Sequence, residues 1–144
     1  MKSVFLDFAT LGSGDLETTR LESAAPNLTL LSATPQHDVL EHIADHAIVM
    51  TNKLRLDRTL IEASPALRLI ALSATGTNNV DLEAARAKSI PVCNIPDYCI
   101  DEVADQTLAF ILAPTRQVGI HANHLRAGKW GLATPLGGMK ALRD

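Results

Sequence analysis

The run Ser73-Ala74-Thr75-Gly76-Thr77-Asn78-Asn79-Val80-Asp81 places small and amide side chains between an apolar segment and a helix start. At the carboxyl end of a strand, such a turn can face the backbone N–H groups of Thr75 and Gly76 toward an anion. The same composition also suits a plain strand-to-helix connection built from Asn and small residues. Both roles remain open on these residues alone. Downstream, Asn94-Ile95-Pro96-Asp97-Tyr98-Cys99 runs into Asp101-Glu102-Val103-Ala104-Asp105, so four carboxylates crowd one helix start. Their simplest role is to complement the positive end of the helix dipole. A general acid among them would need an apolar pocket to raise its pKa, and the sequence shows none.

Other reactive types are sparser. Gly12-Ser13-Gly14 follows the first apolar run like the opening of a dinucleotide-binding turn, but Glu17 stands where the third glycine belongs, which favours a surface turn. His42 and His46 are four apart, and His121 and His124 three apart, so each pair can share a helix face. A metal site needs a third ligand, and Glu41 and Asp45 beside the first pair suggest a solvated face. His37 stands apart from both pairs. Cys93 reads as a core filler at a strand end and Cys99 as an exposed loop thiol, with no histidine placed locally to activate it. No metal site and no catalytic residue is expected from these patterns.

Alternating strands and helices must position these groups. Apolar runs at Val4–Phe8, Leu28–Leu31, Ala47–Met50, Leu67–Ser73 and Ile90–Cys93 predict five strands. A polar stretch able to hold one helix separates the first two. Thr34 as N-cap with Pro35 at the first helical position predicts a helix to Asp45 that buries Val39, Leu40 and Ile43. Asp57–Ser64 reads as a short helix with Leu60 and Ile61 inward, and Asp81 as the cap of a helix over Leu82–Lys88. This alternation predicts an α/β fold with a five-stranded parallel sheet and helices on both faces. From Ile100 the pattern is helical, with Asp101 as cap, a kink or stop at Pro114, resumption from Gln117 to Arg126, and Gly128 as C-cap. Residues 131–144 hold three Gly and one Pro and read as an irregular arm.

Composition bounds the possible functions. The chain has 13 basic and 16 acidic residues, a net charge of −3 that excludes the basic footprint of a nucleic-acid binder. No apolar run approaches the roughly 18 residues of a membrane span. The start is too short and too polar for an export signal, and two cysteines make no disulfide framework, so a cytoplasmic location is expected.

Four separated segments together resemble one family. Thr51-Asn52-Lys53, the turn SATGTNNVDLEAARAKSIPVCNIP over 73–96, the helix start DEVADQTLAFIL over 101–112, and Ala127-Gly128-Lys129-Trp130 are similar to the D-isomer-specific 2-hydroxyacid dehydrogenases, closest in flavour to the glycerate, hydroxypyruvate and phosphoglycerate dehydrogenase branch. The resemblance implies a flavodoxin-like substrate domain over 1–99. It implies a long interdomain helix and the start of an NAD-binding domain over 100–144. Hydride would pass between NAD or NADP and C2 of a small 2-hydroxy or 2-keto acid. The substrate carboxylate would meet the amides of Thr75 and Gly76, with Asn52 and Lys53 at a facing strand end and Cys99 bordering the cleft. Val103 matches a position close to the nicotinamide. Family members often carry Gly at the position of Ala74 and Asp at that of Asn78.

The resemblance also places the Gly-rich cofactor turn and the catalytic Arg, Glu and His beyond Asp144. The expectation is therefore a substrate domain cut before its cofactor domain, binding no NAD and inactive alone. The alternative is a carboxylate-binding or dimerisation module, a homodimer forming through the helix 100–126. A phosphoreceiver of similar topology fails on chemistry, since the third strand ends Met50-Thr51-Asn52 with no Asp and Asp7 stands alone.

Overall fold

A computed structural model of the chain describes residues 1–12, 14–25, 27–130 and 141–142. Most of the arm expected over 131–144 lies outside the described residues. The chain divides into two compact units, Met1–Tyr98 and Cys99–Asp144.

The first unit is built on five parallel strands: β1 (Ser3–Phe5), β2 (Leu28–Leu30), β3 (Ile48–Thr51), β4 (Leu69–Leu72) and β5 (Val92–Cys93). Their order is β2-β1-β3-β4-β5, the doubly wound order in which the winding reverses between β1 and β3. Helices α1 (Thr19–Ala24), α2 (Val39–Ile43), α3 (Arg58–Glu62) and α4 (Leu82–Ala87) connect them. Four of the strands are shorter than their apolar runs predict, because the flanking residues turn away from the ladder into loops, while β3 keeps its predicted length and is shifted by one residue.

Register explains the core. Val4, Val49, Ile70 and Val92 stand side by side across four strands, so they share one face. That face is sealed by Val39 and Ile43 of α2, Ile61 of α3, and Ala84 and Ala85 of α4, all essentially buried with Leu56, Leu67 and Val80. Phe5, Met50, Ala71 and Cys93 line the opposite face. Right-handed crossovers assign α1 to that side. Its cover is thinner, for Ala71 is half-buried and Cys93 exposed. The expectation of Cys93 as a core filler is thereby corrected: it sits on a two-residue edge strand, on the less covered face.

Local signals were partly obeyed. Asp57 caps α3 by accepting from Leu60 N–H at 3.1 Å, and Asp81 caps α4 by accepting from Ala84 N–H at 2.8 Å. Thr34, in contrast, caps nothing. Its hydroxyl donates to the Leu6 carbonyl at 2.7 Å, tying the loop after β2 to the end of β1. The chain then makes a 3₁₀ turn over Gln36–Asp38 before α2, which rotates Leu40 outward while Val39 and Ile43 stay buried. Leu60 is only half-buried beside fully buried Ile61. At the amino-terminal ends of the strands, the Lys2 amine donates to the Asp45 carboxylate and holds it below the usual carboxylate range. Both groups are well exposed, so the pair adds little stability.

The second unit contains α5 (Ile100–Thr115) and α6 (Val118–Arg126). The helical stretch over 100–126 is divided into two helices, as the kink or stop expected at Pro114 implies, with α5 running one residue past the proline. Pro114 lacks the N–H to continue the ladder, and Gln117 takes a left-handed φ of 52° that breaks the axis. Cys99, rather than Asp101, occupies the N-cap position of α5. The end of α6 is as expected. Gly128 adopts φ 70°, its N–H donates to the Leu125 carbonyl at 3.0 Å, and Lys129 N–H donates to the His124 carbonyl at 2.9 Å, the paired bonds of a Schellman stop.

Candidate functional site

In an open parallel sheet, ligands meet the carboxyl ends of the strands where the winding reverses. Here β1 ends at Phe5 and β3 at Thr51, and the space beyond them is closed by the protein's own anion. The Asp7 carboxylate, 3% exposed, accepts from Asn52 N–H at 2.9 Å, Lys53 N–H at 2.7 Å and Leu54 N–H at 3.3 Å. Thr10 completes the joint. Its N–H and hydroxyl donate to the Asp7 carbonyl, and its own carbonyl and hydroxyl accept from the Asn52 side-chain amide at 3.3 and 2.9 Å. Asn52 is thus buried, with its side-chain nitrogen committed to the turn, whereas Lys53 is exposed.

The crest moves one strand over. Thr75 and Gly76 lie exposed in the loop after β4, adjacent to the β3 end through the pairing of Thr51 with Leu72. Cross-loop bonds hold this loop on both sides. Asn79 donates its amide to the Leu54 carbonyl at 3.1 Å, and Leu56 and Val80 form a parallel bridge. On the β5 side, Asn94 donates its amide to the Thr75 carbonyl at 2.8 Å, and Ile95 N–H donates to the Ala74 carbonyl at 3.1 Å. A β-carbon at Gly76 would lie 2.9 Å from Asn78 Oδ1, the end of an exposed side chain that can swing aside. A polar cleft of about 180 Å³ beside the crest is lined by Arg55, Asp57, Asn78, Asn79, Val80 and Asp81.

The structure therefore places Asn52–Lys53 and Thr75–Gly76 in the loops that follow the neighbouring strands β3 and β4, and the Asn79 amide ties these loops together at the Leu54 carbonyl. Cys99 and Val103 belong to the second unit, where Val103 N–H donates to the Cys99 carbonyl at 3.0 Å in the first turn of α5. Cys99 is half-buried rather than exposed as its loop position suggested. Sequence reasoning missed the supports, namely Asp7, Thr10, Asn79 and Asn94. An Asp or Asn just past a strand end is the available signal, but which loop it braces depends on strand order.

Among the described residues, neither Gly12 nor Gly14 stands at the start of a helix. Gly12 ends a 3₁₀ turn over Phe8–Leu11 and Gly14 precedes α1 by several residues. The starts of α3 and α4 are already taken by Asp57 and Asp81. Among the described residues no cluster of three His, Cys, Asp or Glu could hold a metal ion, and no helix is long and apolar enough to cross a membrane.

Residues 9–134 match the family model for the D-isomer specific 2-hydroxyacid dehydrogenase catalytic domain. The chain belongs to that family. A hydroxypyruvate reductase of Blautia hydrogenotrophica is 37% identical over 132 residues, covering 90% of this chain and 41% of that protein. A glycerate dehydrogenase of Methylorubrum extorquens is 35% identical over 97 residues, covering 67% of this chain and 31% of that protein. The chain thus spans well under half the length of these relatives. A D-lactate dehydrogenase from Aquifex aeolicus, solved with NAD and lactic acid, superposes with a TM-score of 0.74 at 18% identity. It covers 94% of this chain and 40% of its own, and at that identity shows the shared fold.

Proposed function

We propose that this dehydrogenase-family chain supplies the substrate wall for hydride transfer between NAD or NADP and a D-2-hydroxy acid of the glycerate and hydroxypyruvate kind. The outward crest at Thr75–Gly76 carries this reading. Its amides receive the substrate carboxylate, exposed Lys53 adds positive charge from the adjacent strand end, and Asn52 holds the turn that presents Lys53. Cys99 borders the substrate and Val103 the nicotinamide, as the family resemblance implies. The relatives' names, hydroxypyruvate reductase and glycerate dehydrogenase, support the substrate class. The pyrophosphate cradle and the proton donor belong to a cofactor domain outside these 144 residues, so residues 1–99 act as substrate domain and 100–144 lead toward that domain. Hydride transfer requires the cofactor's reactive carbon held against the substrate. The 144-residue chain alone therefore binds no NAD and turns over none.

Amide-resolved NMR of the chain with glyoxylate tests the wall. The signals of Thr75 and Gly76 should move, and Gly76→Ala should weaken binding about tenfold while changing stability by less than about 1 kcal/mol. Unmoved crest amides would refute the wall, and steady NADH oxidation with hydroxypyruvate would refute the inactivity.

A second property of the same chain rests on α5, where Val103, Leu108, Phe110, Ile111 and Leu112 are 40–70% exposed. Apolar side chains at this density on one helix mark an association surface. A homodimer through residues 100–126 is the expected state, and Phe110→Glu should convert it to monomer by sedimentation velocity. A parent chain that sediments as a monomer at high concentration would refute it.

A further inference from the structure

We propose that Asp7 is a positioning residue for the substrate-facing turn Asn52–Leu54, acting as a built-in anion that fixes where Lys53 stands beside the Thr75–Gly76 crest. The proposal rests on the crest being the carboxylate wall and adds what sets its geometry. Backbone N–H groups converging on one point form an anion-binding concavity, and in doubly wound sheets the winding reversal is where a ligand commonly fills it. In this chain the concavity at the β1–β3 reversal is filled from within. Successive N–H groups of residues 52–54 converge on one buried carboxylate, at 2.7–3.3 Å. Among the described residues no cationic side chain pairs with it. The charge is met by backbone dipoles alone, so their direction is dictated by Asp7.

Thr10 restrains the same turn from the other side by accepting the Asn52 amide. The turn is in turn stitched to the crest by the Asn79 amide on the Leu54 carbonyl. A ligand anion is thereby excluded from the reversal and directed to the neighbouring strand ends, where Thr75 and Gly76 are exposed. Asp7 touches no substrate; it acts through the backbone carrying Lys53.

The experiment is glyoxylate titration of the 144-residue chain by amide NMR in Asp7→Asn, Thr10→Val and, as a core control, Ile70→Val. Asp7→Asn should raise the glyoxylate dissociation constant about fivefold or more and move the Lys53 amide proton upfield, since the charge-assisted bond is lost. Thr10→Val keeps the carboxylate and should weaken binding about twofold. Ile70→Val loosens the core without touching the turn and should bind as the parent does. Parent-like affinity in Asp7→Asn would overturn the proposal, as would equal weakening by Ile70→Val. Should Asp7→Asn not fold, parent-like affinity in Thr10→Val would overturn it. Absence of glyoxylate shifts in the parent would instead sink the carboxylate wall, while the Lys53 amide proton would still report on Asp7 itself.

Discussion

Replacing Asp7 by Ala is expected to lower the unfolding free energy of the first unit by about 4 kcal/mol. The carboxylate is buried and receives three backbone N–H groups. Each buried donor left without an acceptor costs roughly 1–3 kcal/mol. The loss is uneven across the three. Leu54 N–H keeps a second acceptor in the Thr51 hydroxyl at 3.1 Å, whereas among the described residues no second acceptor is seen for Asn52 or Lys53 N–H. Asp7→Asn preserves shape and one acceptor oxygen, so about half the loss should return. Urea unfolding followed by far-UV circular dichroism measures both. A cost below about 1 kcal/mol for Asp7→Ala would mean that water replaces the carboxylate at the turn.

Ile70→Ala is the second large effect, expected at about 3 kcal/mol by the same measurement. Ile70 is fully buried in the middle of β4, between Val49 on β3 and Val92 on β5. Truncation removes three carbons from a face sealed by α2, α3 and α4. Neighbours anchored in three strands cannot collapse into the void, so a cavity term adds to the transfer term. The contrast with Asp7 lies in the consequences. Ile70→Ala should lower stability and leave the amide signals of residues 52–54 near their parent positions, while Asp7→Ala should shift them. A cost near 1 kcal/mol at Ile70 would show that the two-residue β5 edge gives way and fills the space.

The class of fold was legible because its causes are local. Val49, Ile70 and their flanks are continuous apolar runs, as strands covered on both faces require, and Asp57 and Asp81 cap their helices by short-range geometry. What failed was also local in form but decided by tertiary contacts. Thr34 beside Pro35 looks like a helix start, yet its hydroxyl finds the Leu6 carbonyl, 28 residues earlier, and the helix begins later. Cys93 has strand neighbours and an apolar character, yet edge position decides its exposure. At the candidate site, the small residues at Thr75 and Gly76 marked an exposed turn after β4. The Asp7 cradle stayed hidden, because its partners lie 45–47 residues away and only strand order brings them together.

The sheet's outermost strands, β2 and β5, run for three and two residues. So little open ladder cannot template the growth of further ribbons, since cross-β stacking needs segments of roughly six or seven residues. Crowded copies of this chain should therefore meet through helix side chains and separate again on dilution, with no thioflavin-positive material accumulating.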